Sequence, residues 1–188
     1  MNISLPFDHS FKLIFGGAGG VGKSTLLHSF MYNEFIPDMK LTIGVQFNTT
    51  MLNRNGRTIG LSLWDLGGQE RFRFIQTMYL ENAHAGFIFF DMSRLGTLGQ
   101  VGSWIDMYRE YADPALPIIL VGTKLDLVPS NQQAGIHGMA NRVVQDYGLV
   151  GYTATSSKMN LNVNEVITYM VDVLVYRQYV ELTSNSKD

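Results

Sequence analysis

The sequence predicts an α/β fold, a three-layer sandwich on an about six-stranded, mostly parallel sheet with one antiparallel hairpin strand and helices on both faces. Three observations predict it. Short apolar runs alternate with longer segments of helical period, as in strands joined by right-handed helical crossovers. Asn55-Gly56 stands between two strand-like runs and marks a tight hairpin, hence one antiparallel pair. A glycine-rich loop separates the first strand-like run from the first helical one.

The elements follow in order. Phe11–Phe15 reads as a strand running into GGAGGVGK, and Ser24–Tyr32 as the helix after it. Val45–Arg54 and Arg57–Asp65 flank the hairpin turn. Ala85–Asp91 is the apolar run of a buried strand, followed by Leu98, Val101, Ile105 and Tyr108 at helical spacing. Leu116–Gly122, led by Pro117, is the next strand; Ile136, Met139, Val143 and Tyr147 then share a helix face. Val150–Ala154 is a short strand, and Val163, Val166, Ile167, Met170 and Leu174 form a final amphipathic helix. A second stripe on that helix, Tyr169, Val173, Tyr176 and Val180, is expected to be partly buried beside the sheet. His28 and His84 have no partner in ligand spacing and are expected to be packed or surface histidines. Arg71 and Arg73 are expected on a solvated face, and the tail TSNSKD is expected to be unstructured. In open α/β sheets ligands sit beyond the carboxyl ends of strands. The loops beginning near Gly16, Asp65, Asp91 and Gly122 are therefore where a site belongs.

Composition narrows the function classes. The 188 residues suit one domain, with about 10–180 as ordered core and short flexible termini. Hydrophobic residues at 46% against 16% charged supply a packed core rather than a disordered chain. With 14 basic and 16 acidic residues, the net charge of -2 offers no footprint for nucleic acid. The absence of cysteine excludes disulfides, thiolate metal sites, cysteine nucleophiles and a prenyl or palmitoyl anchor in this chain. No apolar run approaches the ~18 residues of a spanning helix, and MNISLPFDHS has neither a basic n-region nor Met-Gly. A cytoplasmic monomer without lipid anchor is the expectation.

Gly17-Ala18-Gly19-Gly20-Val21-Gly22-Lys23-Ser24 satisfies G-x-x-x-x-G-K-[ST]. Glycines let the backbone wrap a diphosphate and aim N–H groups at it, and the following helix presents its positive end to the same anion. Lys23 would reach the β- and γ-phosphates, and the Ser24 hydroxyl would ligate Mg²⁺. The bland alternative is a chance glycine-rich turn, but a strand precedes this loop and a helix follows it. Trp64-Asp65-Leu66-Gly67-Gly68-Gln69-Glu70 ends another apolar strand on an acid. Asp65 there can hold Mg²⁺ through water, Gly68 can offer its N–H to a γ-phosphate, and Gln69 can orient a water. Against this, Asp65 could cap a turn and Gln69 could be a surface amide. Thr123-Lys124-Leu125-Asp126 follows a third strand. A carboxylate at Asp126 could accept from both N1–H and N2–H₂ of guanine, a donor pair that adenine lacks. The stem of Lys124 could cover the base.

GAGGVGKS, TIGVQF, WDLGGQERFRF, TKLD and TSSK stand in an order and spacing that resemble a Ras-superfamily small GTPase, Rab-like in flavour, over about residues 10–180. The resemblance implies the P-loop NTPase, small GTPase fold and a single GTP-binding domain over 1–188. It implies a GTP/GDP switch with slow hydrolysis, Mg²⁺ as cofactor, and an exchange factor, a GTPase-activating protein and effectors acting through the switch regions. Residue by residue, Thr42 resembles the switch I threonine that ligates Mg²⁺ and touches the γ-phosphate. Phe35 falls where an aromatic packs against guanine; an ordinary core phenylalanine is its alternative. Gln69 matches the water-orienting residue, with Gly68, Lys23 and Thr42 as its catalytic company. Ser156-Ser157-Lys158 resembles the loop that closes over the base. Gly19 matches the glycine whose missing side chain leaves room at the γ-phosphate, and Gly17, Gly20, Val21, Gly22, Ser24 and Thr25 complete the phosphate contacts. Metal ligation falls to Ser24, Thr42 and, via water, Asp65.

The chain also departs from that pattern. Thr123 stands where most members have Asn, Gly67 where most have Ala, and Met39 where many carry a tyrosine that lids the phosphates. The C-terminal prenylated cysteines of the family are absent. A GTP-binding interaction module with negligible turnover and a small P-loop kinase remain as alternatives at this point, the latter disfavoured by Asp126.

Overall fold

The computed structural model describes residues 8–54 and 56–184. Six strands, β1 (His9–Gly17), β2 (Val45–Arg54), β3 (Arg57–Leu66), β4 (Ala85–Asp91), β5 (Ile118–Thr123) and β6 (Gly151–Ala154), form one sheet. Their order is β2-β3-β1-β4-β5-β6. Only β2 runs antiparallel, to β3, with Val45 opposite Leu66 and Arg54 opposite Arg57; the remaining neighbours are parallel. Five helices join them: α1 (Lys23–Tyr32), α2 (Arg73–Thr77), α3 (Val101–Tyr111), α4 (Ser130–Tyr147) and α5 (Val163–Ser184). The expected six-stranded sandwich is the observed one.

Alternation along the strands fills two cores. Phe11, Leu13 and Phe15 of β1 face α1 and α5, packing with Leu26, Val163, Ile167 and Met170. Ile14 faces the other side with Trp104, Ile105 and Tyr108 of α3 and Ile136 and Ala140 of α4. Every residue of β4 is buried, as its unbroken apolar run requires, because layers cover both faces. The layers put all parallel strand ends, Gly17, Leu66, Asp91, Thr123 and Ala154, on one edge of the molecule.

The differences from expectation have local causes. Strand β5 begins at Ile118 rather than Leu116, because Pro117 has no N–H for the ladder. Helix α2 was not expected: five residues are too few to show a period. Arg73, expected to be solvated, lies over the Trp104 ring and donates to the Ser103 hydroxyl at 3.0 Å. Tyr169, Tyr176 and Val180, expected to be partly buried, are exposed on α5. That helix turns its other face to the sheet. Thr183 and Ser184, read as the start of an unstructured tail, are the last turn of α5. The rest of that tail, the N-terminal residues 1–7 and Asn55 of the hairpin turn lie outside the described residues. The two histidines take surface roles: Nδ1 of His84 accepts from the Lys12 N–H at 3.0 Å, and Nδ1 of His28 lies 3.1 Å from the Glu34 carbonyl. Burial, aided by the Lys12 charge, holds the His84 imidazole below its ordinary pKa. Among the described residues no helix is long and apolar enough to cross a membrane.

Candidate functional site

A cleft of about 700 Å³ opens at the carboxyl edge of the sheet. Its floor begins where β1 passes into the glycine loop and α1 starts at Lys23. Lys23 is buried, and its Nζ folds under the loop to donate to the carbonyls of Gly17 at 2.9 Å and Ala18 at 3.1 Å. Burial pushes the ammonium down to about 8, against the opposing pull of Asp65.

Asp65, near the end of β3, is buried behind the cleft. Its Oδ2 accepts from the Ser24 hydroxyl, and from Thr42 Oγ1 at 3.1 Å, while Ser24 Oγ and Thr42 Oγ1 lie 2.6 Å apart. Two hydroxyls and one carboxylate from three separate segments thus meet at one point. Burial raises the Asp65 pKa; Lys23 and the two hydroxyls oppose that shift without cancelling it. The other oxygen, Oδ1, is buried without a protein partner. An all-oxygen, hard donor set with an unsatisfied buried carboxylate oxygen fits a small divalent cation such as Mg²⁺.

Two glycines let the switch segments close on this point. A Cβ on Gly67 would fall 2.6 Å from the Thr42 carbonyl oxygen, and one on Gly68 only 2.1 Å from the Gly19 nitrogen. Real side chains do not tolerate such contacts, so the backbone itself packs there. The Gly67 N–H donates to the Gly44 carbonyl at 2.8 Å, and buried Gln76 donates from Nε2 to the Gly67 carbonyl at 2.5 Å. Gln69 lines the cleft, and its side-chain oxygen accepts from Arg71 Nε at 2.8 Å.

The far end is built by β5 and the loop after β6. The Thr123 hydroxyl donates to the Val21 carbonyl at 2.5 Å, tying this strand to the glycine loop where an asparagine was the family expectation. Lys124 adopts the left-handed region at φ 57, and its Nζ donates to the Gly20 carbonyl at 3.0 Å. Such a conformation in a non-glycine residue is held only by surrounding contacts. Asp126 lines the cleft, and its Oδ1 accepts from the buried Ser156 hydroxyl at 2.5 Å. Phe35, 38% exposed, stands on the wall beyond the end of α1 rather than inside the core.

Of the residues singled out in the sequence, the cleft is lined by Gly19, Gly20, Gly22, Lys23, Ser24, Thr25, Phe35, Thr42, Gly68, Gln69, Thr123, Lys124, Asp126, Ser157 and Lys158. Gly17, Val21, Asp65 and Ser156 lie behind that lining and act on it through the hydrogen bonds above. Sequence reasoning missed Gln76, Asp91 and Arg94 behind the lining and, within it, Ile36, Pro37, Asp38, Leu41 and Leu127. Asp91 and Arg94 follow a strand end that topology already marked, whereas Gln76 and Leu127 carry no pattern.

A sequence model described as Ras family matches residues 12–175. "Ras-related protein Rab-19" of Xenopus laevis is 36% identical over 172 residues, covering 92% of this chain and 80% of that protein. "Ras-related protein Rab-19" of Homo sapiens is 32% identical over 180 residues, covering 96% and 82%. "Ras-related protein Rab-4B" of Homo sapiens is 35% identical over 159 residues, covering 85% and 73%.

Proposed function

This chain belongs to the Ras family and is a Rab-like small GTPase that binds GTP and GDP, and from that premise we propose how its own residues divide the work. Residues 1–188 form a single GTP-binding domain and act as a monomer. The observation that carries the reading is that one cleft joins the glycine loop, Thr42, Gln69 and Asp126. That is the set needed for a triphosphate at one end and guanine at the other.

The loop N–H groups and Lys23 bind the β- and γ-phosphates, and a polyanion there restores the charge that burial discourages on the ammonium. Ser24 and Thr42 would hold Mg²⁺ directly and Asp65 through water, and the ion supplies neutralisation of the β,γ-oxygens. Asp126 accepts from the guanine edge, with the Ser156 hydroxyl fixing its rotamer. Ser157 and Lys158 close over the base, Phe35 packs against it, and the stem of Lys124 covers its face. Gln69 orients the water that attacks the γ-phosphorus as the bond to the β,γ-bridging oxygen breaks, giving GDP and phosphate. Its amide must first leave Arg71. Lys23 and the loop N–H groups stabilise charge on the leaving diphosphate. When the γ-phosphate departs, Thr42 and Gly68 lose their ligand and both switch segments relax. An exchange factor, a GTPase-activating protein and effectors read those segments, in signalling or vesicle-trafficking regulation.

Competition binding with a fluorescent GDP tests this reading, followed by phosphate release from excess GTP. GTP and GDP should displace the probe where ATP does not, and release should be slow but recurrent. Equal displacement by ATP would overturn the guanine assignment, and a single turnover without recurrence would overturn the catalytic one.

A further inference from the structure

The loop after β4 touches the glycine loop at a point that the proposed chemistry leaves unused. Asp91, the last residue of β4, is fully buried with a charged side chain. Its Oδ1 accepts from the Ser93 N–H at 2.9 Å and the Ser93 hydroxyl at 2.6 Å. Its Oδ2 accepts from Arg94 Nε at 2.8 Å and Lys124 Nζ at 2.8 Å. Burial works against the ionised form, and the bonds from Lys124, Ser93 and Arg94 outweigh it, holding the carboxyl below its usual range. The carboxylate is therefore a fixed anchor for two cations.

Both cations then reach the same acceptor. Arg94 Nη2 donates to the Gly20 carbonyl at 2.8 Å, beside the 3.0 Å bond from Lys124 Nζ. Arg94 does this with a rigid planar group, one nitrogen on the anchor and another on the carbonyl, so its reach is set by geometry rather than by a flexible stem. The Gly20–Val21 peptide is planar, with its carbonyl and the Val21 N–H on opposite edges. Fixing the carbonyl therefore fixes where the Val21 N–H of the glycine loop points.

We propose that Arg94, anchored on Asp91, is a positioning residue that locks the Gly20–Val21 peptide and so slows release of guanine nucleotide. This rests on the guanine-nucleotide reading above. Lys124 belongs to the base end, so its hold on Gly20 loosens when that end opens. Arg94 lies in the loop after β4 and, through Asp91 at the end of that strand, holds the glycine loop to the sheet independently of the base. Its side chain is half exposed, so the strap can be removed without excavating the core.

Stopped-flow measurement with N-methylanthraniloyl-GDP on the full chain tests this, using Arg94→Met, which keeps the stem and loses every donor, and Arg94→Lys. Arg94→Met should release the probe about tenfold faster, the scale of one lost charge-assisted hydrogen bond. Its association rate should stay within about twofold of wild type. Arg94→Lys should recover most of the slow release, because a donor cation returns. Release from Arg94→Met at the wild-type rate would overturn the clamp. So would an equal change in association, or an Arg94→Lys protein no slower than Arg94→Met. Failure of the wild type to hold the probe at all would instead overturn the guanine-nucleotide reading, and the clamp with it.

Discussion

The wall of the cleft from Gly17 to Ser24 is held from behind by the Thr123 hydroxyl, by Lys23 and by Lys124, with Val21 and Lys23 themselves buried. The opposite wall, residues 35–44, is exposed at Ile36, Leu41 and Ile43 and leans on the Thr42 hydroxyl and the Gly44 carbonyl. The first wall owes its shape to the sheet, so it stands before any ligand arrives. The second has few buried apolar contacts and belongs to the low-stability end of the molecule. A ligand's third phosphate can shift an equilibrium only where that equilibrium is nearly balanced, and only the second wall meets that condition.

Four changes would break or sharpen this contrast. The largest effect should come from the rigid side. Asp126→Asn replaces an acceptor carboxylate with an amide facing two guanine donors, and GDP affinity should fall by about 2–5 kcal/mol. Xanthosine diphosphate should gain, since its oxygen at C2 suits an amide donor; unchanged GDP binding by titration would remove this loop from the site. Next comes the segment after β3 that packs on the second wall: Gln69→Leu should lower single-turnover hydrolysis by at least about tenfold, ~1.4 kcal/mol of barrier. GTP affinity should hold, because no phosphate contact is lost; equal rates would mean that another group positions the water.

A smaller effect is expected from Gly67→Ala, whose Cβ must displace the Thr42 carbonyl that lies 2.6 Å from it. The strain, on the order of 1–3 kcal/mol, falls on the second wall alone. Preference for GTP over GDP should therefore drop while GDP affinity stays. The smallest effect lies at the far end of the sheet, as a control. Nδ1 of His84 accepts a backbone N–H, so protonation there breaks a bond, and the folded-state pKa is held below 6.5. The unfolded chain binds that proton first, so stability from this group is present above about pH 6.5 and declines as pH falls through the lowered value. Urea unfolding across pH 5–7 should show a slope that His84→Asn flattens, with nucleotide release unchanged.

The same contrast explains what was legible in the sequence. The framework announces itself because strand ends, glycines and a lysine at fixed spacing are short-range facts, and so are Thr123–Asp126 and Asp65. Thr42 was found only through resemblance, since a threonine in an irregular segment has no period to betray it. Gln76 escaped because its partner is a backbone carbonyl nine positions away, brought near by a five-residue helix. Asp91 and Arg94 escaped for a related reason: an acid and a base three apart look like an ordinary surface pair. Only the packed loop shows that the acid is buried and that both cations meet at Gly20.

The sheet has two unequal edges. Strand β6 closes one with four residues, whereas β2 closes the other with ten and shows Phe47 and Met51 to solvent. The run VQFNTTMLNR carries one charge, at Arg54, and no proline. An edge that long, with one side of its backbone unpaired, is a template for another strand. Any self-association at high concentration should accordingly start from β2 rather than β6, and a charge placed at Met51 should suppress it in light scattering. The chain that enters β2 is the weakly held 35–44 segment, so whatever loosens that segment also frees the start of the sticky edge.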